Sequence, residues 1–376
     1  MEYNKINIDI FNDEQKYWFV RTNGGLYYDE YKTKGFIAFD INTVCDTKLL
    51  EVVDTNKVAR EQLSKKIKEA YKNKTQNSTA YIPTVAEDTL LPEELKQTKK
   101  LKKDNIQTGL IINQLKRFML EMKIGDIVLI PSSDSDKITF GKITSKYYID
   151  KTSPLEGFPE EKKCPFFKRI NVKWIKTIKK KNLDPYLYKV IYSHHSITDV
   201  SYARNYINRS LSDIYILNDK LYITFNVNRK TGIPVKNLLE FIGSFEKVAH
   251  SINLDQKYID EIAQAEVKLN LQSPGPIQYI IGFAAGAFIL AVTYATCNIA
   301  DRGGTINIEH NNSKIELNVN AKTDDKYTIT RTYEETTEKI TSDNGEVKEL
   351  KKNIEKLEIT LPNEQKPSEE LLQQIK

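Results

Sequence analysis

The chain of 376 residues is 40% hydrophobic and 28% charged, a composition that supports two or three domains with packed cores and excludes a disordered chain. Its 56 Lys and Arg residues nearly balance its 51 Asp and Glu residues, and the net charge is +5. This charge excludes a globally basic protein, so any basic surface must be local. The cysteines Cys45, Cys164 and Cys297 are too widely spaced for a disulfide framework or a zinc site with paired ligands, which favours a reducing compartment.

The first 150 residues alternate strand and helix signals. Strands are predicted over 17–22 and 35–41, with a turn at Gly24 and Gly25 between them. Apolar residues at helical spacing predict a surface helix over 54–73 and a second helix over 108–122. Two further strands, joined by a polar loop, are predicted between 123 and 144. Because the polar N-terminus lacks the apolar core of a signal peptide, residues 1–270 are predicted to be cytoplasmic.

The rest of the chain continues this mixture of strands and helices. RINVKWI at 169–175 alternates as a strand, and short helices are predicted beyond Asp184. Asn218 and Asp219 lie between two apolar runs, a pattern typical of a β-hairpin. Helices are predicted over 234–250 and 256–266, followed by a second hairpin around Asn311 and Asn312. The segment 345–359 predicts an amphipathic helix or strand.

Residues 277–300 carry no charge, whereas the whole chain is polar, with a mean hydropathy of -0.51. Roughly 20 apolar residues are enough for a helix to cross a bilayer, so the sequence predicts one long apolar helix at 271–300 that spans a membrane. Small residues at helical spacing predict a self-association face on it, formed by Gly282, Gly286, Ala287 and Ala291. The alternative is a helix buried inside a soluble oligomer, since several polar residues interrupt the segment.

Five segments of the N-terminal region together resemble a known family. They are WFVRTNGG at 18–25, KGFIAFDI at 34–41, QLKRFMLEMKIGDIVLIP at 114–131, FGKIT at 140–144 and KRINVKWI at 168–175. In order and spacing, over residues 15–211, they resemble the PUA-like N-terminal domain that is fused to Mrr-type restriction endonucleases. The resemblance implies a PUA-like β-barrel with helices and a role in sensing nucleic acid, a modified base or a nucleotide.

A barrel that reads an extruded base needs an aromatic ring for stacking and polar groups for hydrogen bonds. The candidate ligand-binding residues with that chemistry are Trp18, Arg21, Asn23, Arg117, Ser132, Ser133, Lys173 and Trp174. Basic residues that could follow a phosphate backbone are Lys116, Arg117, Lys168, Arg169, Lys173, Lys176, Lys179, Lys180 and Lys181. Alternatively, both tryptophans belong to the barrel core and the two arginines pair with acidic residues.

The nuclease half of that family has no clear counterpart in this sequence. A metal-dependent nuclease needs acidic ligands and a nearby lysine on a strand, and neither Glu316 nor Glu338 lies in a convincing framework of that kind. His194 and His195 are adjacent and would point to opposite faces of a strand, so they predict no metal site. No catalytic residue, metal or cofactor is predicted, and a nuclease with a divergent metal site stays open as a third interpretation.

Together these features predict an α+β protein with four regions. A PUA-like recognition domain occupies 1–211, a small α+β connector 212–270, the apolar helix 271–300, and a β-hairpin region with a polar tail 301–376. The predicted function is anti-phage defence in a prokaryote, in which the first domain senses nucleic acid and the apolar helix self-associates and acts on the inner membrane. The alternative is a soluble, homo-oligomeric nucleic-acid-binding adaptor that recruits a separate effector protein.

Overall fold

The structure, a computed structural model, describes most of the chain. The described residues are 4–77, 107–150, 163–193, 195–251, 253–269, 275–294, 296, 304–311, 314–321, 328–333, 336–341 and 344–362, of which 4–7, 73–77, 284 and 304–341 are described by their backbone alone. The chain divides into two compact units: an N-terminal unit, Glu14–Ile207, and a C-terminal unit made of Met1–Asp13 and Asn208–Lys376. One unit therefore contains the predicted connector, apolar segment and hairpin region.

The described elements comprise strands and helices in both units. The strands are β1 (Asn4–Ile10), β2 (Tyr17–Val20), β3 (Phe36–Phe39), β4 (Ile127–Pro131), β5 (Lys137–Ile143), β6 (Tyr148–Ile149), β7 (Lys168–Lys179), β8 (Ile197–Asp199), β9 (Ile214–Leu217), β10 (Lys220–Val227), β11 (Glu266–Leu269), β12 (Gly275–Gly282), β13 (Gly304–Asn311), β14 (Lys314–Ala321), β15 (Thr328–Tyr333), β16 (Thr336–Thr341) and β17 (Ile359–Thr360). The α-helices are α1 (Tyr28–Lys34), α2 (Lys48–Glu51), α3 (Lys57–Asn77), α4 (Thr108–Lys116), α5 (Tyr188–Ile191), α6 (Arg204–Leu211), α7 (Val235–Ser251), α8 (Gln256–Ala263), α9 (Phe283–Tyr294) and α10 (Gly345–Leu357). The α+β composition predicted from the sequence is confirmed.

The N-terminal unit is built on a sheet in the order β3-β7-β5-β4-β2-β8, with β6 added beside β7. Strands β2 and β4 run parallel, whereas the other neighbours are antiparallel. Among the described residues no pairing joins β8 back to β3, so the sheet is open. The PUA-like β-barrel that the resemblance implies therefore stays a prediction.

Both faces of the sheet are buried at β2 and β4, because these two strands are apolar and inaccessible at every position. On one face, Trp18 and Val20 of β2 join a core with Leu63 of α3 and Leu115 of α4. Their neighbours in β2 that point the opposite way, such as Phe19, are equally inaccessible. A side chain on β2 therefore reaches solvent from neither face.

The C-terminal unit has a sheet in the order β11-β12-β10-β9-β1-β14-β13, and β17 pairs with β10. Its first strand comes from the start of the chain, where β1 runs parallel to β9 and antiparallel to β14. Helices α7, α9 and α10 bury their apolar residues against this sheet, around an aromatic group formed by Phe225, Phe241, Phe245 and Tyr279.

The uncharged segment is not one helix. Its first part, Ile277–Gly282, belongs to β12, which pairs with β10 along its full length, and the chain becomes helical only at Phe283. Helix α9 has 12 residues, about 18 Å at 1.5 Å per residue, whereas a bilayer core is about 30 Å thick. Within the described residues no helix is long and apolar enough to cross a membrane, so the prediction of a transmembrane helix at 271–300 is wrong.

The predicted self-association residues of this segment pack inside the C-terminal unit. A Cβ atom added to Gly286 would lie 2.8 Å from both Ile281 Cγ2 and Leu221 Cδ2, and one added to Gly282 would lie 2.6 Å from Glu261 Oε2. Ala287 and Ala291 are buried as well. Gly286 thus lets α9 lie close to β10 and β12, and the role of these residues in self-association stays a prediction.

Two helical glycines of the C-terminal unit provide a matched test of this packing. Gly286→Ala is expected to destabilise the unit by about 1–3 kcal/mol, because the new methyl group overlaps Ile281 and Leu221. Gly243→Ala in α7, where nothing lies within 4 Å of the added Cβ, should stabilise it by up to about 1 kcal/mol. Urea denaturation followed by circular dichroism measures both changes, and equal stability of the two variants would contradict the packing of α9.

Candidate functional site

Trp18 is enclosed by the fold. Its side chain is 0% exposed, and its indole Nε1 donates a hydrogen bond of 2.8 Å to Asp126 Oδ2. The buried Asp126 carboxylate also accepts the backbone N–H groups of Lys16, at 3.1 Å, and Lys123, at 3.0 Å. Asp126 therefore joins β2 to the turn before β4, and the Trp18 ring presents no surface to a base in this conformation.

Trp174 is half-buried on β7. Its Nε1 donates to the Tyr31 carbonyl oxygen at 2.9 Å, which fixes the indole against α1. The opposing residue on β5 is Gly141, where an added Cβ would lie 2.5 Å from Trp174 Cε3. The ring therefore packs directly on the backbone of β5.

Two arginines that the sequence predicts to bind a ligand instead bind main-chain carbonyls of the segment 191–197. The Arg21 guanidinium donates from Nε to Ser193 O at 2.8 Å and from Nη2 to Ile191 O at 3.3 Å. Arg117 donates from Nη1 to Ile197 O at 2.9 Å. Both side chains therefore hold this segment against the sheet.

The structure brings Asn23 and the two predicted serines to neighbouring turns. The turn that contains Asn23 has positive φ angles at Asn23, Gly24 and Gly25, of 55°, 66° and 95°. An added Cβ on Gly25 would lie 2.3 Å from the backbone nitrogen of Ser133, so only glycine fits there. Ser132 Oγ meanwhile accepts the Lys137 N–H at 2.9 Å. Both turns lie at one end of strands β2, β4 and β5.

Several of the predicted phosphate-binding residues already bind partners within the N-terminal unit. Lys116 pairs with Asp54, and Arg169 pairs with Asp150 at 2.7 Å. Lys168 is completely buried, and its Nζ donates to the Ile41 carbonyl oxygen. In contrast, the side chains of Lys173, Lys176, Lys179 and Lys181 are exposed. Among the predicted phosphate-binding residues, the accessible positive charge therefore lies along β7 and the turn that follows it.

Beyond this turn, three tyrosines project into solvent. Tyr186, Tyr192 and Tyr202 are 66%, 62% and 64% exposed. Sequence reasoning missed them, although the signal was present: tyrosines interleaved with lysines and arginines along 179–206. An exposed aromatic ring costs free energy in water, so three within 17 residues indicate a binding surface.

The local fold explains why these rings point outward. Asp184 Oδ1 accepts the Tyr186 N–H at 3.0 Å and begins the helical turns that lead into α5. In those turns Leu187, Val190 and Ile191 are buried, at the spacing of one helical face, which leaves Tyr186 and Tyr192 on the other face.

Ring contacts link some of these tyrosines to another tyrosine or to a lysine. The rings of Tyr186 and Tyr206 stack with centroids 4.5 Å apart and planes 16° apart. Lys180 Nζ lies 5.7 Å from the centroid of the Tyr192 ring, and the Tyr188 hydroxyl donates to the Lys180 carbonyl oxygen at 3.0 Å. We name this region the aromatic–basic surface; it comprises Lys179, Lys180, Lys181, Tyr186, Lys189, Tyr192, Tyr202 and Tyr206.

Positive charge concentrates in the same part of the chain. Residues 168–207 contain nine Lys and Arg residues and two Asp residues, a net charge of +7, whereas the whole chain carries +5. Both aspartates bind the local backbone: Asp184 accepts from Tyr186, and Asp199 Oδ1 accepts the Ser201 N–H at 2.9 Å. This segment is therefore more basic than the chain as a whole, although Lys168 is buried and Arg169 pairs with Asp150.

In the described part of this unit, the buried Cys164 thiol is not activated as a nucleophile. Burial is the main cause that raises the pKa of the Cys164 thiol to about 12, with a smaller contribution from the nearby Glu30 carboxylate, so the thiol stays protonated at neutral pH. Within the described residues, no three His, Cys, Asp or Glu side chains lie where they could hold a metal ion. His194 and the side chains of Glu316 and Glu338 lie outside the described part.

The family described as a domain of unknown function (DUF8426) matches residues 52–201 of the chain. The matched range includes α3, α4, β7 and the aromatic–basic surface as far as Tyr192. No curated protein and no solved structure matches this chain.

Proposed function

We propose that the N-terminal unit binds single-stranded nucleic acid through the aromatic–basic surface. The observation that carries this proposal is the exposure of Tyr186, Tyr192 and Tyr202 within a segment whose net charge is +7. Cations alone would attract any polyanion, and exposed aromatic rings alone would suit an apolar partner. A nucleic-acid strand satisfies both, because it offers phosphates and flat bases in alternation.

The aromatic rings favour unpaired bases over a duplex. In a double helix each base is covered on both faces by its neighbours, so a protein ring reaches only base edges in the grooves. In a single strand the bases can separate and stack on exposed side chains. The stacking of Tyr186 on Tyr206 leaves the outer face of Tyr186 for such a base, and Tyr202 has its ring 64% exposed.

The resemblance to the PUA-like domain of Mrr-type restriction endonucleases is consistent with nucleic-acid recognition. A sensing role in prokaryotic anti-phage defence, and recruitment of a separate effector after binding, are part of this proposal. The binding surface differs from the one expected from that resemblance, since Trp18 and Trp174 pack within the fold.

Fluorescence anisotropy with labelled oligonucleotides tests the proposal. The full-length chain should bind a mixed-sequence single strand more tightly than the duplex of the same sequence. Equal affinity for the two would show that phosphates alone are recognised, and the absence of binding to either at low salt would refute the proposed function.

The contribution of the lysines is measured by the salt dependence of binding. In the variant Lys179→Ala with Lys181→Ala, we expect weaker binding to every sequence tested. The slope of log K against log salt should fall by about 0.7 for each phosphate that the variant no longer binds. The control variant, Lys348→Ala with Lys352→Ala, removes two exposed lysines from α10 and should bind as the unmodified chain does. If both variants changed the slope equally, the positive charge at 179–181 would have no special role.

A further inference from the structure

Helices α3 and α4 border a cleft of about 750 Å³ in the N-terminal unit. Its ten lining residues are all charged, polar or glycine, and they include five lysines and arginines but only two glutamates. The cleft is therefore a basic depression without an apolar side chain. We refer to it below as the α3–α4 cleft.

The charges of α3 form two different rows along this cleft. One row alternates in sign at four-residue spacing, Lys57, Glu61, Lys65 and Glu69, so neighbouring charges offset one another. The other row consists of Arg60, Ser64, Lys68 and Lys72. This second row therefore has no carboxylate of its own to balance its positive charge.

Two cations of the second row also lack an acidic partner elsewhere in the described structure. Arg60 and Lys68 are exposed, and within the described residues neither side chain forms an ion pair or a hydrogen bond. The Ser64 hydroxyl lies between them on the same face of the helix. The row can therefore offer guanidinium, hydroxyl and ammonium donors to one ligand.

The spacing of these donors indicates an elongated anion. Arg60 and Lys68 are eight residues apart, which corresponds to about 12 Å along a helix. One carboxylate or one phosphate is too small to contact both. A peptide is disfavoured because stable peptide sites contain apolar pockets for anchor residues, and no apolar side chain lines this cleft.

We propose that the α3–α4 cleft is a second binding site, which takes the phosphates of an elongated polyphosphate anion. Such phosphates could belong to a free polyphosphate chain or to the backbone of a nucleic acid. The site is formed by residues other than those of the aromatic–basic surface, and the inference does not depend on the function proposed for that surface.

Titration calorimetry of the full-length chain with inorganic tripolyphosphate provides the first test. The unmodified chain should bind tripolyphosphate. The variant Arg60→Ala with Lys68→Ala should have an affinity at least about tenfold lower, because two charged donors are removed. Lys66→Ala is a control for the loss of one exposed lysine from the same helix, since Lys66 does not line the cleft. Alanine is a strong helix former, so α3 should stay folded in both variants.

A second measurement distinguishes the two sources of phosphate. If the affinity for a single-stranded oligonucleotide falls in the Arg60, Lys68 double variant but not in the Lys66 variant, the cleft binds the nucleic-acid backbone. If only tripolyphosphate binding falls, the cleft binds a free polyphosphate. Unchanged affinity of the Arg60, Lys68 variant for both ligands would overturn the proposal. If poly-glutamate competed for the cleft as well as tripolyphosphate does, that would overturn it too.

Discussion

Replacing Tyr186, Tyr192 and Tyr202 together by alanine is expected to weaken the binding of a single-stranded oligonucleotide more than a hundredfold. Each base that stacks on an aromatic side chain contributes about 1–3 kcal/mol, so removing three stacked rings costs about 3 kcal/mol or more. The three side chains are 62–66% exposed, and their removal should leave the fold intact. Fluorescence anisotropy at constant salt measures the change in affinity.

The control for this variant keeps the rings and removes the hydroxyls. Phenylalanine at the same three positions should bind within a few-fold of the unmodified chain, because stacking depends on the ring face. Affinity for duplex should change little in either variant. If the phenylalanine variant bound as weakly as the alanine variant, hydrogen bonding rather than stacking would be responsible.

Asp126→Ala is expected to destabilise the N-terminal unit by about 3–5 kcal/mol. The buried Asp126 carboxylate accepts hydrogen bonds from Trp18 Nε1 and from the backbone nitrogens of Lys16 and Lys123, all at 3.1 Å or less. Removing it leaves three donors without an acceptor, and hydrogen bonds to charged groups contribute about 1.5–3 kcal/mol each. Urea denaturation followed by tryptophan fluorescence, to which Trp18 and Trp174 of this unit both contribute, measures the change.

Asp136→Ala is the matched control for this change, because Asp136 is exposed in the turn at the other end of β4. It should alter stability by less than about 0.5 kcal/mol. If Asp126→Ala were as stable as this control, Trp18 would not be anchored in the core. Its ring could then still be considered for ligand binding, as the resemblance implies.

Local signals in the sequence predicted many elements correctly. The strands over 17–22 and 169–175 and the helices at 108–122 and 234–250 are all present. The hairpin at Asn218 and Asp219 is confirmed too, with φ angles of 53° and 58° that suit the tight turn. These elements depend on periodicity and turn chemistry within a few residues.

Features that depend on distant parts of the chain were not predicted. Strand β1 pairs with β9 and β14, which lie more than 200 residues further along the chain. The uncharged segment at 277–300 was misassigned for a related reason. A continuous apolar run has no period, so it does not reveal whether a membrane or a protein core covers it. In the fold, β10 pairs with its first part and the core of the C-terminal unit covers α9.

Prediction of the candidate site from the sequence was limited in the same way, because exposure depends on the tertiary fold. Trp18 and Trp174 have aromatic rings on which a base could stack. Trp18 does not reach solvent, however, because both faces of the sheet are buried at its strand. Tyr186 and Tyr192 lie on a short helical stretch whose inner face carries Leu187, Val190 and Ile191. Interleaved tyrosines and lysines in 179–206 could have indicated this surface, whereas the ring contact between Tyr186 and Tyr206 depends on the tertiary fold.

The binding surface itself can be located by photocrosslinking the full-length chain to a single-stranded oligonucleotide that contains iodouracil, followed by mass spectrometry of the crosslinked peptides. Aromatic side chains that stack on the modified base should crosslink most efficiently. We expect crosslinks at Tyr186, Tyr192 or Tyr202, suppressed by excess unlabelled single strand but not by excess duplex. Crosslinks that map to the C-terminal unit, or that duplex suppresses equally, would contradict single-strand binding by the aromatic–basic surface.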